Sequence, residues 1–229
     1  VITICHISDT HNQHNKIKVP HADILIHSGD ATGRGYRGEI EAFAEWFRSQ
    51  PHMIKIFVAG NHDWDFETDP NQAHRSFYAD SPADGSDGLY YLNNTSCTVS
   101  VDGIDLVVYG SPWTPYFHGW AFNAHPQDIQ AIWQKIPPKI DIMVTHGPPK
   151  GILDLTTTGL NVGCPFLDYE LQLRKPKMHL FGHIHEAFGT LERDGTLYSN
   201  GACLNRSYVP AHKPNVFEVH DNGIVKLKA

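Results

Sequence analysis

Five short polar clusters in this chain hold residue types that do chemistry: Asp9-x-His11, Gly29-Asp30, Gly60-Asn61-His62-Asp63, Thr145-His146-Gly147 and Gly182-His183-x-His185. Each alone is weak: an isolated Asp-x-His is ordinarily surface polarity, and an isolated Gly-Asn-His is a turn. Gly-His-x-His says more, because two imidazoles flanking one apolar residue seldom serve packing. Together they form a donor set of carboxylates, one amide and imidazoles, without thiolate. Such donors suit borderline first-row divalent cations. Two ions about 3.5–4 Å apart can share a carboxylate and an oxygen nucleophile, and they bring the pKa of bound water down toward about 7. They also offset charge that builds on phosphoryl oxygens. The protein then needs no covalent nucleophile. Consistently, the chain has no G-x-S-x-G, no Walker Gly-Lys-Ser/Thr and no G-x-G-x-x-G opening a helix after its first strand.

Positioning these clusters falls to the apolar runs before them. Ile2–Ile7 runs into Ser8-Asp9, Asp23–His27 into Gly29-Asp30, and Ile54–Ala59 into Gly60-Asn61. Asp141–Thr145 runs into His146, and Met178–Phe181 into Gly182-His183. Open sheets present chemistry in this way, at the carboxyl ends of strands. Helical spacing lies between them: Ile40, Phe43, Ala44 and Phe47; Pro126–Ile136; and the shorter Phe166–Leu173. Three hairpins are expected. Cys97–Val101 and Ile104–Tyr109 flank Asp102-Gly103, Thr190–Glu192 and Leu197–Ser199 flank Asp194-Gly195, and Phe217–His220 and Ile224–Lys226 flank Asn222-Gly223. The pattern predicts an α/β chain of two stacked mixed sheets covered by helices. No repeat or linker divides it, so residues 1–229 read as one domain.

Composition narrows the function classes. The chain has 229 residues, 41% hydrophobic and 11% aromatic, which is enough to bury a core and excludes disorder. No apolar run approaches the roughly 20 residues of a membrane span. The formal net charge of −7 argues against a broad basic face for duplex nucleic acid. Cys5, Cys97, Cys164 and Cys203 are widely spaced and form no CxxC pair, which reads as idle thiols in a reducing compartment. With no basic leader before the first strand, the expectation is cytoplasmic. Sixteen histidines are the outlier; those outside the motifs read as surface, capping or packing residues, with His6 packed within the first strand.

The constellation resembles the calcineurin-like metallophosphoesterase superfamily, whose motifs run D-x-H, G-D, G-N-H-(D/E), H and G-H-x-H. All are present in order between Asp9 and His185. The resemblance implies a four-layer α/β/β/α sandwich of two mixed sheets flanked by helices. It implies one metal held by Asp9, His11 and His185, a second held by Asn61, His146 and His183, and Asp30 bridging them. It makes His62 the general acid, or the stabiliser of phosphate charge, with Asp63 beside it in the catalytic set.

Further segments are similar to the metallophosphoesterase-domain-containing branch, which includes the brain 239FB-like proteins. These are Gly110–Pro115, Gly119–Asn123, Thr145–Pro149, Val162–Cys164 and Phe181–Glu186. This resemblance implies a metal-dependent phosphodiesterase, with cyclic nucleotides among its substrates, acting through in-line attack by a metal-bridging hydroxide. Two divalent ions are expected, Mn first, with Fe or Zn as alternatives. The expected partner is a small phosphodiester or nucleotide, not duplex nucleic acid or a membrane. Some branch members carry Gly at the position of His183 and are poor catalysts; keeping His183 implies a fully ligated second metal.

One departure stands out. Many superfamily phosphatases have an Asp three residues after the bridging Asp, orienting the catalytic His. Here that residue is Gly33, which leaves Asp63 or Asp65 as candidates for the task. Arg34 occupies the place of a phosphate-binding Arg. In the aromatic loop of Trp113, Tyr116, Phe117, Trp120 and Phe122, Trp113 and Phe117 are the chosen platforms for a base. Asn123, Asn161 and Arg206 are weaker candidates. The rival readings are a phosphomonoesterase or protein phosphatase of the same fold, a scaffold that lost its chemistry, and a DNA-end nuclease.

Overall fold

The computed structural model describes residues 1–220, 223 and 225–228. The first half holds β1 (Ile2–Ile7), β2 (Ile24–His27), α1 (Arg37–Ser49), β3 (Ile54–Phe57), α2 (Asp65–Thr68), α3 (Pro70–Tyr78) and β4 (Leu89–Tyr91). The second holds β5 (Thr95–Val101), β6 (Ile104–Ser111), β7 (Thr114–Pro115), β8 (Asn123–Ala124), α4 (Pro126–Trp133) and β9 (Ile142–Thr145). It continues with α5 (Pro165–Arg174), β10 (Met178–Phe181), β11 (Gly189–Arg193), β12 (Thr196–Asn200), β13 (Asn215–Val219) and β14 (Val225–Leu227).

Two six-stranded sheets result, in the orders β14-β13-β1-β2-β3-β4 and β11-β12-β10-β9-β6-β5. In the first, β1 to β4 run parallel, and β13 adds antiparallel to β1. In the second, β6, β9, β10 and β12 run parallel, with β5 and β11 antiparallel at the edges.

Alternation sorts the side chains into layers. Ile2 and Ile4 of β1, Ile24 and Ile26 of β2, and Ile142 and Val144 of β9 join the core between the sheets. Cys5, Ile7, Leu25 and Phe57 face Phe43, Phe47 and Phe77 of the helices over the first sheet. Met143, Phe181 and Tyr198 face Ile129, Trp133, Leu167 and Leu171 over the second. The order is therefore helix, sheet, sheet, helix. Both faces of the central strands are covered, which is why they read as unbroken apolar runs. His6 also points between the sheets, where its ring bridges Ser28 Oγ (2.9 Å) and Ser199 Oγ (2.8 Å).

Some boundaries differ from expectation. β3 closes at Phe57, and Val58 and Ala59 continue buried. α4 closes at Trp133, and a tighter turn carries the chain to Ile136 before Pro137-Pro138. The third hairpin pairs β13 with β14, but Asn222 and Ile224 of that expectation lie outside the described residues. α2, α3, β4 and the two-residue pair β7–β8 gave no clear periodic signal, because none exceeds nine residues. α3 is set instead by Pro70 in its first turn and by the Asp69 carboxylate, which accepts from Gln72 N at 3.2 Å. Among the described residues, no helix is long and apolar enough to cross a membrane.

Candidate metal centre

All five clusters fall at the carboxyl ends of β1, β2, β3, β9 and β10, where the two sheets meet. Two close approaches let them meet. A Cβ at Gly60 would overlap the Asp30 carboxylate, and one at Gly182 would overlap Asp9 and Ser8. The loops are also strained: Asp9, His11, Asp30 and His183 all have positive φ, at 53°, 39°, 54° and 70°. Non-glycine residues rarely hold this conformation, and it collects at functional sites where the surroundings enforce it.

The donors converge in three overlapping groups: Asp9, His11 and His185; His11, Asp30 and His62; and Asp30, His146 and His183. His185 Nε2 lies 3.2 Å from Asp9 Oδ1, and His11 Nε2 lies 3.7 Å from Asp30 Oδ2. His146 Nε2 lies 3.3 Å from Asp30 Oδ2 and 2.9 Å from Asn61 Oδ1. Asp30 thus stands between the two sets, as a bridging ligand must.

The tautomers fit a cation as well. Nδ1 of His146 faces the Ser28 carbonyl at 3.0 Å, and Nδ1 of His185 faces the Asn205 carbonyl at 3.0 Å. A carbonyl only accepts, so each Nδ1 carries a proton, and once Nε2 is deprotonated each ring would turn a lone pair inward, as metal-ligating imidazoles do. Nε2 of His11 and Nε2 of His185 meet at 3.3 Å, an arrangement an ion between them would satisfy.

Without ions, charge is balanced by protons. Burial opposes the charged form of His146 most strongly of any single effect, but the Asp30 carboxylate, the Asp9 charge and the Ser28 carbonyl together raise the ring to about 9. Burial likewise opposes charge on His185 most strongly of any single effect, yet the hydrogen bond and charge of Asp9, with the Asn205 carbonyl and the Asp30 charge, together raise it to about 9. Burial lowers His11 and His183 to about 4, keeping both neutral. Asp9 and Asp30 are held below the usual carboxylate range: burial pushes them up, and the neighbouring histidines pull them further down.

The model of the calcineurin-like phosphoesterase family matches residues 2–187, which spans every one of these groups. The chain belongs to that family. As a phosphoesterase of this kind it is a metal-dependent phosphoester hydrolase, and the groups above are where its divalent ions would sit. Human and mouse metallophosphoesterase domain-containing protein 1 are each 36% identical over 226 residues, covering 93% of this chain and 69% of theirs. A crystal structure of TT1561 from Thermus thermophilus shares the fold, with a TM-score of 0.57, 15% identity, and coverage of 87% of this chain and 88% of that one.

Around the phosphoesterase centre, the other sequence candidates fall in different places. His62 lines the cleft, and its Nδ1 donates to the Gly33 carbonyl at 2.9 Å. Asp63 is fully buried behind it. Its oxygens accept from Gly60 N (2.7 Å), Thr32 N (3.0 Å), Thr32 Oγ1 (2.7 Å) and Ala31 N (3.3 Å). Asp63 therefore ties the β3 loop to the β2 loop, and the Gly33 carbonyl, not Asp63 or Asp65, holds the His62 ring. Burial, and then the Asp30 charge, raise Asp63 to about 6.

Arg34 is exposed, and its backbone N–H donates to Glu39. It does not line the cleft. Trp113 is packed edge-on against Phe122 between two core clusters, also away from the cleft, because its loop turns the indole inward. Phe117 is exposed and does line it. Asn123 clamps this loop, accepting from Phe117 N at 2.9 Å and Trp120 N at 3.2 Å.

Two further wall residues are Trp120, named within the aromatic loop but not chosen as a platform, and Tyr208, which the sequence did not single out. Trp120 stacks on His62 with centroids 4.4 Å apart. Tyr208, at φ 57°, sets its ring edge-on to His11 at 4.8 Å. The available signal for Tyr208 was its place near Asn200-Gly201-Ala202 and Arg206, a segment without helical or strand periodicity.

Proposed function

We propose that the protein is a phosphodiesterase acting on small diesters, with 2′,3′- or 3′,5′-cyclic nucleotides as candidate substrates and Mn²⁺ as the favoured ion. The observation that carries this reading is the cleft wall. His11, Asp30, Asn61, His62, Phe117, Trp120, His183, His185 and Tyr208 enclose about 190 Å³, and no lysine or arginine stands among these lining residues. A monoester dianion ordinarily calls for a guanidinium clamp; a diester carries one charge and a second organic group. Aromatic walls suit that group better than a second phosphate charge.

When bound, the ions would supply Lewis acidity to the phosphoryl oxygens and make water nucleophilic near neutral pH. The chain's own residues do the rest. Asp9, His11, Asp30, Asn61, His146, His183 and His185 fix the reacting centre. The Gly33 carbonyl holds the Nδ1–H of His62, so in the imidazolium form the Nε2–H is the group that can meet the departing oxygen and give it its proton, leaving the neutral ring. Trp120, stacked on that imidazole, limits its rotation and keeps water from one face.

The deciding experiment assays metal-loaded protein side by side on mono- and diesters, including both cyclic nucleotide classes, with metal analysis of the same sample. Faster turnover of diesters supports the reading. Preference for monoesters overturns it in favour of a phosphatase, and inertness toward every ester despite two bound ions would favour a scaffold.

A further inference from the structure

Beside the metal centre lies a second cavity of about 440 Å³, lined by Thr114, Pro115, Tyr116, Phe117, Gly147, Pro148, Thr156, Val162, His183 and Ile184. It shares His183 and Phe117 with the catalytic cleft, so the two spaces adjoin at a metal-ligand candidate. Its remaining walls are mostly apolar.

The two loops that build it are inside out. In the 113–124 loop, Asn123 turns inward and holds Phe117 N and Trp120 N, while Tyr116 and Phe117 face solvent at 53% and 57% exposure. In the 151–163 loop, buried Asp154 accepts from Gly151 N (3.0 Å), Gly163 N (2.8 Å) and Asn161 Nδ2 (2.5 Å). There Leu155, Leu160 and Val162 face outward at 54%, 62% and 40%. Single exposed apolar residues are ordinary; here Tyr116 and Phe117 from one clamped loop and Val162 from the other line the same cavity, an exposed apolar lining of the kind that marks a binding site.

The far side of the centre differs. There His183 and His185 adjoin Glu186, Arg206 and Tyr208, with the Arg206 guanidinium near Glu186 and bonded to Thr157. One flank is apolar and the other charged, so the two ester groups of a bound diester are not equivalent.

We propose that, for acyclic diesters, the apolar chamber is a specificity subsite for the ester group that stays on phosphorus, and that this group is an aromatic or branched apolar alcohol. The inference rests on the phosphodiesterase reading above. His62 lines the catalytic cleft but not the chamber, so the group it protonates leaves elsewhere and the chamber holds the retained one. In the step, oxygen from water bonds to phosphorus, the P–O bond to the leaving alcohol breaks, and that alcohol departs with a proton. The product is the phosphomonoester of the apolar alcohol.

The test compares methyl p-nitrophenyl phosphate with benzyl p-nitrophenyl phosphate, which share a leaving group and differ by one ring. Burying that ring predicts kcat/KM roughly tenfold to a hundredfold higher for the benzyl ester. In Val162→Asp the benzyl-to-methyl ratio should fall toward one, with Val162→Ser between. Because the ratio is taken within each variant, a general loss of activity cancels. Calorimetric binding of benzylphosphonate against methylphosphonate, which have no ester to cleave, reads the chamber without turnover and should show the same ratios.

A wild-type ratio near one, or a high ratio that survives Val162→Asp, overturns the subsite. If neither diester turns over while benzylphosphonate keeps its Val162-dependent advantage, the chamber stands and the phosphodiesterase reading falls. A dimer dissolved by Val162→Asp, with the ester ratio unmoved, assigns this face to a second copy of the chain and overturns the proposal.

Discussion

Nδ1 of His62 donates to the backbone carbonyl of Gly33 at 2.9 Å, on the loop that follows Asp30. A carbonyl fixes the ring and its tautomer as a carboxylate would, but it adds no full negative charge. His62 is thus held in place without an ionic partner at Nδ1.

If His62 protonates the departing oxygen, its loss should matter most when that oxygen is basic. His62→Ala is expected to slow esters with alkoxide leaving groups by about 10²–10⁴-fold. Esters of p-nitrophenol should slow far less. Equal losses across a leaving-group series would remove the general-acid role.

Asp63 makes the opposite prediction. Its four accepted hydrogen bonds join the β2 and β3 loops. Asp63→Asn points an amide N–H at donors that need an acceptor, which should cost about 1–3 kcal/mol in urea unfolding. The leaving-group dependence should stay as in the wild type. A variant of unchanged stability but altered leaving-group dependence would return Asp63 to the chemistry.

Gly182→Ala would place a methyl group in the space of the Asp9 carboxylate. Backbone and carboxylate cannot both stay in place, so the ion on Asp9, His11 and His185 should be lost first. Elemental analysis should then find close to one ion where the wild type holds two. Full occupancy with native activity would show that the loop relaxes freely.

Metal binding should release protons. In the metal-free protein His146 and His185 sit at about 9, so both are protonated at neutral pH. Their folded values exceed the ordinary 6.5. Their contribution to metal-free stability is therefore complete below about pH 6.5 and is lost as pH rises through about 9. An ion must displace these protons, so affinity should climb from pH 6 toward pH 9. Calorimetry in buffers of different ionisation heat counts the protons; a heat independent of buffer contradicts the prediction.

Asp30 stands in two of the converging donor groups, and His183 in one. Asp30→Ala and His183→Ala should each remove most turnover of bis-p-nitrophenyl phosphate. Chelation with EDTA should silence the wild type, and Mn²⁺ should restore it. Near-native rates in either variant, with metal content unchanged, would refute the ligand assignment.

The sequence alone marked most of the elements and the five polar clusters that the fold brings together, while α2, α3, β4 and the β7–β8 pair left no clear signal. Apolar runs ending in Gly-Asp, Gly-Asn-His and Gly-His-x-His follow from local rules of burial and turn formation, which act over a few residues. What holds His62, where Trp113 points, and that Trp120 and Tyr208 wall the cleft were decided only by the fold. Gly33 and His62 are 29 residues apart, and His11 and Tyr208 meet across nearly the whole chain. A backbone carbonyl leaves no trace in residue types, and the direction of a loop aromatic is set by clamps such as Asn123 and Asp154, which act on whatever the folded chain brings beside them.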